Sequence, residues 1–223
     1  MVFLRQVWAM VWKDVLAELR TREIFSSMFV FSLLVILIFN FAFELSSARA
    51  EEIAPGVLWA AFAFAGTLGL SRSFSMEKDK GCLEGLLLSP AERSAIYFGK
   101  FLCNLIFMSF VEAIILPVSI VLFNLALPVL WLLPVIFLGT VGFTGVGTLL
   151  SAIAVNTRAR EVMLPILLFP AVLPVLIAAV RATGAILEGL GPSEWLGWTQ
   201  FLAAFDAVFL AISYMTFEYV IEE

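Results

Sequence analysis

The side chains that could do chemistry in this chain of 223 residues are few. The sequence has 2 cysteines, Cys82 and Cys103, and no histidine. The lack of histidine removes the commonest general base, metal ligand and haem ligand. Two cysteines without a CxxC pair favour neither a disulfide framework nor a zinc site. We therefore expect no catalytic residue, no metal site and no cofactor bound by this chain itself.

Four polar side chains interrupt long apolar stretches: Asn40, Glu44, Glu112 and Asp206. Ionisable groups inside a membrane are costly, and they commonly mark ion or proton pathways. Two interpretations are open for Glu112 and Asp206. They line a pathway, or they face the interior of a helix bundle and hydrogen-bond to neighbouring helices.

Charges also crowd into one polar stretch, "SMEKDKGCLEGLLLSPAERSAIYFGK", at residues 75–100. Within it, Leu83, Leu86 and Leu87 share one face of a short helix that ends at Ser89 and Pro90. An amphipathic helix with a charged rim is suited to a groove on a soluble partner. The alternative is that this helix lies on the membrane surface.

The composition indicates that these residues belong to a membrane protein. The chain is 62% hydrophobic with a mean hydropathy of +1.06, far above the values of soluble domains. Six apolar runs are long enough to cross roughly 30 Å of hydrocarbon: 24–45, 54–70, 101–123, 129–155, 162–180 and 201–221. The prediction is an all-α integral membrane protein in which 24–223 form a six-helix transmembrane domain. We expect a cytoplasmic coupling loop at 71–100 and an outer loop at 181–200.

Residues 1–23 are too charged to span the bilayer. Apolar residues recur there at helical spacing and basic residues fall on another face, which predicts an amphipathic helix lying in the interface. The apolar positions are Leu4, Trp8, Val11, Val15 and Leu19, and the basic ones are Arg5, Lys13 and Arg20.

The lysines and arginines predict the orientation. Of the 13, eleven precede the first run or lie in the second and fourth connections, and only Arg49 and Arg181 lie on the other side. By the positive-inside rule, both termini and the 71–100 loop are cytoplasmic. The formal net charge is −5, and we expect no nucleic-acid partner.

Two groups of residues shape the predicted helices. Glycines in the fourth run allow another helix to approach closely, either in the same chain or in a second copy. Prolines in the fifth run remove backbone donors and bend the helix, as a hinge or as a fixed kink. The glycines are Gly139, Gly142, Gly145 and Gly147, and the prolines are Pro165, Pro170 and Pro174.

The polar loop resembles the coupling loop between the second and third helices of ABC-2 type permeases. The matching residues are Phe74, Glu77, Gly81, Leu83, Glu84, Leu86, Leu87, Leu88, Ser89 and Pro90, followed by Gly99 and Lys100. The whole chain is similar to the haem exporter protein B family, the permease subunit of the cytochrome c maturation system. The other segments that carry this similarity are "WKDVLAELRTRE" (12–23), "IFNFAFE" (38–44), "LFPAVLPVLIAAV" (168–180) and "FLAAFDA" (201–207).

The resemblance implies an ABC-2 type permease in the inner membrane. Its implied partners are a soluble ATPase subunit, a second copy, haem-handling membrane subunits and a periplasmic haem chaperone. The sequence has no G-x-x-x-x-G-K-[ST] phosphate loop, as expected if ATP is used by a separate subunit.

The resemblance also implies that two segments contact the ATPase and pass its closure to the helices. They are the loop residues Glu77, Gly81, Leu83, Glu84, Leu86, Leu87, Ser89 and Pro90, and the elbow-helix residues Lys13, Asp14, Glu18, Arg20, Arg22 and Glu23. For Lys13, Arg20 and Arg22, anchoring to anionic lipid is the alternative.

The expected function is that of a transporter subunit and not of an enzyme, in a complex that handles haem. Without histidine, a haem ligand here would have to be Met, Cys or Tyr. The resemblance also permits a role in which ATP hydrolysis drives release of the haem-loaded periplasmic chaperone, and this role is favoured. The alternatives are direct export of haem or another small substrate, and an ion-coupled transporter acting alone through Glu112 and Asp206.

Overall fold

The computed structural model describes residues 2–43, 47–79, 81, 82, 85, 92–124, 129–155, 157 and 159–222. This part of the chain is helical and contains no β-strand. The helices are α1 (Val2–Thr21), α2 (Glu23–Phe43), α3 (Ser47–Asp79), α4 (Arg93–Phe123), α5 (Val129–Val155), α6 (Arg160–Leu187) and α7 (Pro192–Glu222).

Helices α2 to α7 are each long and apolar enough to cross a membrane. The predicted all-α membrane fold with six spans is therefore confirmed. The helices run farther than the predicted spans, however: α3 reaches Asp79 and α4 starts at Arg93, so both extend into the stretch predicted as the 71–100 loop. In the same way α6 and α7 cover most of the predicted outer loop at 181–200. An apolar run marks only the hydrocarbon crossing, and a helix continues beyond it into the polar headgroup layer.

Helices α3 and α5 form the centre of the bundle. In each, 72% of the apolar window is buried, compared with 22–33% for the other four spans. The indole Nε1 of Trp59 in α3 donates to Oγ1 of Thr183 in α6 at 3.0 Å. A hydrogen bond of this kind fixes the rotation of one buried helix against the next, because lipid offers no alternative partner.

The glycines of α5 lie against other helices of the same chain. A side chain at Gly139 would meet Trp59 of α3, and one at Gly147 would meet Leu70 of the same helix. Gly142 faces Val175 of α6. Of the two interpretations of these glycines, the contacts support packing within the same chain. The lack of a Cβ lets the helices approach closely.

Helix α1 packs against α4 through only part of its apolar surface. Val7, Met10 and Val11 are buried, whereas Trp8 and Trp12 are exposed. Of the predicted apolar stripe, Val11 is buried and Val15 half-buried, but Leu4, Trp8 and Leu19 are exposed. Helix α1 therefore has two apolar faces. One packs on α4, and the other, which carries most of the predicted stripe, points away from the protein, as contact of an interfacial helix with lipid requires. The interfacial position stays a prediction.

Helix α6 runs unbroken through Pro165, Pro170 and Pro174. Prolines also lie inside α3, α4 and α5, at Pro55, Pro117 and Pro134. Proline within a span is thus common to four helices of this bundle, and a hinge in α6 stays a prediction.

We expect Gly147→Leu to destabilise the bundle. The new side chain would clash with Leu70 of α3 and approach Leu168 of α6, whose Cδ1 lies 3.4 Å from the Cβ position. Overpacking of this kind costs about 1–3 kcal/mol, so the thermal unfolding midpoint in detergent should fall. The matched control is Gly197→Leu in α7, where no atom lies within 4 Å of a Cβ. Equal midpoints for the two variants would contradict the assigned packing.

Candidate functional site

The elbow end of the bundle is where α1 meets α3 and α4. Here α3 ends at Asp79 and α4 begins at Arg93, so these two helices are the stems of the segment that joins them. Helix α1 packs along one of these stems, α4, and its side chains also reach the other, α3. Side chains on these three helices therefore determine how the connecting segment is held.

Two lysines and two carboxylates form a charge cluster at this end: Lys13 and Asp14 of α1, Glu77 of α3 and Lys100 of α4. Nζ of Lys100 lies 2.8 Å from Oδ2 of Asp14 and 3.0 Å from Oε1 of Glu77. Nζ of Lys13 lies 3.2 Å from Oδ1 of Asp14 and also pairs with Oε1 of Glu77. Each lysine bridges both carboxylates, so the cluster joins three helices.

Lys100 is the buried member of the charge cluster, with only 3% of its surface exposed. Its ammonium has three N–H donors, and a third acceptor is the carbonyl of Ser73, at 3.0 Å. The ring of Phe74 lies beneath it, with its centroid 5.5 Å from Nζ, in range of a cation–π contact. Removing one partner of a buried charge pair typically costs about 3–5 kcal/mol, because the other charge is left uncompensated.

Lys13 is the more accessible lysine, since half of its side chain is exposed. Burial lowers its pKa, but the carboxylates of Asp14 and Glu77 outweigh burial, so that the net pKa lies above the usual 10.5. The ammonium is therefore held in its charged form by α1 and α3 together.

A tight turn at Arg22 separates α1 from α2. Arg22 has φ of 55°, in the left-handed region, and its N–H donates to the carbonyl of Glu18 at 2.7 Å. The Glu18 carboxylate in turn accepts from the N–H of Phe25 at 2.8 Å. A carboxylate at a helix N-terminus satisfies free N–H groups and the helix dipole. On the surface, Glu23 and Arg72 pair at 3.3 Å, which adds a further link from this turn to α3.

A cavity of about 270 Å³ lies beside the charge cluster, between α1, α3 and α4. Both cysteines, Cys82 and Cys103, line it together with Met76 and Phe107. Within the described part of the chain, no three or more Cys, Asp or Glu side chains are grouped to hold a metal ion.

The predicted site residues separate into distinct places. Lys13, Asp14 and Glu77 meet in the charge cluster, Glu18, Arg22 and Glu23 form the turn, and Arg20 is exposed. Gly81 follows α3 with φ of 65°, a conformation that favours glycine. Leu83, Glu84, Leu86, Leu87, Ser89 and Pro90 lie outside the described residues, as does Glu44. For all of these, contact with an ATPase stays a prediction.

The polar residues of the spans have different surroundings. The hydroxyl of Thr140 in α5 donates to the carboxylate of Glu112, whose two oxygens lie 2.7 and 2.9 Å from Oγ1. Asn40 donates to the carbonyl of Leu122 in α4, at 3.1 Å. These are interhelical bonds of the kind that the packing interpretation requires.

Asp206 differs from the other polar residues of the spans. It is 5% exposed, and neither carboxylate oxygen has a hydrogen-bond partner among the described residues. Its Oδ1 would lie 2.5 Å from a Cβ at Gly142. The glycine thus provides the space that this carboxyl group occupies.

Sequence reasoning missed the central role of Lys100. The lysine immediately precedes the predicted span at 101–123, where a lysine is normally an interface anchor. One signal was present: Ile96, Tyr97, Cys103 and Asn104 are the apolar or small polar neighbours at helical spacing, and all are buried. A lysine on that face must be paired.

Comparison with known proteins gives consistent results. The profile of the CcmB protein family matches residues 5–222. The chain is 29% identical over 178 residues to the heme exporter protein B of Pseudomonas aeruginosa, which covers 78% of this chain and 79% of that protein. It is 28% identical over 183 residues to the protein of the same name in Rhodobacter capsulatus, with 82% and 84% covered. For that of Paracoccus denitrificans, the identity is 27% over 206 residues, with 92% and 93% covered.

We expect Lys100→Met to release α1 from the stems, because the half-exposed Lys13 is then the remaining lysine of the charge cluster that pairs with Asp14 and Glu77. Limited proteolysis should cut α1 faster, and the unfolding midpoint should fall. Lys13→Met should have a smaller effect, since an exposed pair contributes less than a buried one. Adding Glu77→Gln to Lys100→Met should restore part of the loss by removing one uncompensated charge. Equal effects of the two lysine variants would contradict this assignment.

Proposed function

Because the chain belongs to the CcmB protein family, we propose that it is the membrane-spanning permease subunit of an ABC transporter complex for cytochrome c maturation. The observation that carries this proposal is the family match over residues 5–222 of a chain with six apolar spans. The name of the relatives, heme exporter protein B, supports haem as what the complex handles. The excess of Lys and Arg at the elbow end supports cytoplasmic termini in an inner membrane.

The subunit couples ATP hydrolysis by a separate ATPase to movement of its helices. The ATPase binds the segment between α3 and α4, and its closure displaces the two stems. Lys100 is shared between α1 and α3, so a stem cannot move without carrying α1 or breaking buried charge pairs. This mechanical link is the structural support for coupling at the elbow end. A second copy, haem-handling membrane subunits and a periplasmic chaperone complete the complex.

The step driven by this ATP hydrolysis is release of the haem-loaded chaperone. The absence of histidine supports this role over direct export of haem, because the commonest axial ligand is missing from the chain. An ion-coupled transporter would need carboxylates that ions can reach. Glu112 is hydrogen-bonded to Thr140, and Asp206 is 5% exposed, which favours the ATP-driven role.

Replacing Leu87 by Asp is expected to abolish co-purification of the ATPase subunit. The change puts a charge on the predicted apolar face of the segment, where burial without a partner is unfavourable. Membrane insertion should be unaffected. The control is Gly85→Asp in the same segment, because Gly85 falls on the opposite helical face and no atom lies within 4 Å of its Cβ position. ATPase recovered at wild-type yield with Leu87→Asp would exclude this face as the docking surface.

A strain without this protein should contain no mature c-type cytochromes, while its periplasmic chaperone remains loaded with haem in the membrane complex. The readouts are haem staining of the cytochromes and of the isolated chaperone. An empty chaperone would favour direct export of haem instead. Normal cytochromes would contradict the whole proposal. In the same strain, full complementation by Asp206→Asn and by Glu112→Gln would exclude the ion-coupled mechanism.

A further inference from the structure

An apolar groove of about 660 Å³ runs between α3 and α6 in the half of the bundle away from the elbow end. Trp59 and Ala63 of α3 and Ile177 of α6 line its sides. The rings of Phe64 and Phe169 close its inner end, with centroids 5.7 Å apart in an edge-to-face contact. Phe64 is 43% and Ile177 48% exposed, so the groove is open sideways to the hydrocarbon.

The length of this groove matches one leaflet of a bilayer. In α6, Arg181 at the outer mouth follows Phe169 at the inner end by twelve positions, and at a rise of about 1.5 Å per residue the two lie about 18 Å apart along the helix. Half of the hydrocarbon core is about 15 Å thick. With Arg181 at the headgroup level, the aromatic pair therefore lies near the bilayer midplane.

A polar vestibule continues the groove at its mouth. This second cavity, of about 310 Å³, shares Val180 and Arg181 with the groove. Among the described residues, three carboxylates line it beside one guanidinium, those of Glu52, Glu188 and Glu194. The two cavities together form an amphipathic site: an apolar channel of one-leaflet length that ends in one cationic and several anionic groups.

We propose that the groove and vestibule bind a zwitterionic phospholipid with a primary ammonium, of the phosphatidylethanolamine type. Its phosphate pairs with Arg181, whose planar guanidinium suits phosphate oxygens. Its ammonium is placed among Glu52, Glu188 and Glu194, and one acyl chain lies along the groove to Phe64 and Phe169.

The charges of the vestibule select this headgroup. Phosphatidylglycerol would satisfy Arg181 but leave the carboxylates facing a neutral diol. Phosphatidylcholine carries a cation that has no N–H to donate to them. A tetrapyrrole with two carboxylates would bring two anions to a mouth where the described lining residues supply one cation and three anions. Specificity here is the difference between paired and unpaired charges.

The test is native mass spectrometry of the protein after exchange into detergent with equal amounts of phosphatidylethanolamine, phosphatidylglycerol and phosphatidylcholine. We expect one tightly retained lipid per chain, predominantly phosphatidylethanolamine. Arg181→Gln should lower its retention by roughly tenfold, the loss expected for a charge-assisted contact. Arg49→Gln, which removes the other arginine assigned to this side, is the charge control.

Two further variants separate binding from folding. Glu52→Gln, Glu188→Gln and Glu194→Gln combined should shift the preference towards phosphatidylglycerol, a gain that an unfolded protein would not show. Gly56→Leu should fill the groove without a clash, because no atom lies within 4 Å of its Cβ position, and should displace the lipid. Ala204→Leu, on the exposed surface of α7, should not.

Three results would overturn the proposal. They are equal retention of the three lipids by the unaltered protein, unchanged retention in Arg181→Gln, and haem, detected by its absorbance, bound in place of lipid and displaced by Gly56→Leu. None of them bears on ATPase docking. The first two leave the proposed function unaffected, whereas haem in the groove would also favour direct export over release of the chaperone.

Discussion

The buried ammonium of Lys100 holds the elbow end together. Its three donors find acceptors on two other helices, Asp14 of α1 and both Glu77 and Ser73 of α3. A lysine is almost never this buried unless it is paired, so the three helices must keep their mutual positions for the charge to be tolerated. Helix α1 is consequently expected to move together with α3 and α4, although it is not among the six helices that are apolar enough to cross a membrane.

The same requirement for paired polar groups organises the centre of the bundle. In α5, Thr144 and Thr148 each donate to the carbonyl four residues earlier, at 2.6 and 2.7 Å, and Thr140 donates to Glu112 of α4. Neighbouring helices then use the polar atoms that α5 presents: Asn104 of α4 donates to Thr148, and Tyr97 of α4 donates to the carbonyl of Gly145. Because lipid cannot supply partners, these bonds fix which faces of α4 and α5 meet. Asp206 departs from the pattern, and its surroundings are shaped by Gly142 instead.

The features that could be predicted from the sequence are those that depend on residues close together in the chain. The six spans were readable because an apolar run of sufficient length has few other interpretations. The ends of the helices were not, because polar residues continue a helix past the hydrocarbon. The packing face of α1 was missed because Trp8 and Val11 are both apolar, and nothing local tells a lipid contact from a protein contact. The charge cluster was out of reach because Lys13 and Glu77 are 64 residues apart in sequence, although each had been singled out by resemblance.

The bond between Trp59 and Thr183 has a consequence for how the protein is made. Its two ends are 124 residues apart, and at about 5–20 residues per second the ribosome needs on the order of 10 s to synthesise that interval. During this time α3 is already in the membrane, while α5 and α6, which will bury it, are still being translated. Helix α3 can pack on α2 as soon as both are made, but its contacts with α6, including the bond from Trp59, must form late. Until then its indole N–H has only water or headgroups at the membrane surface as partners.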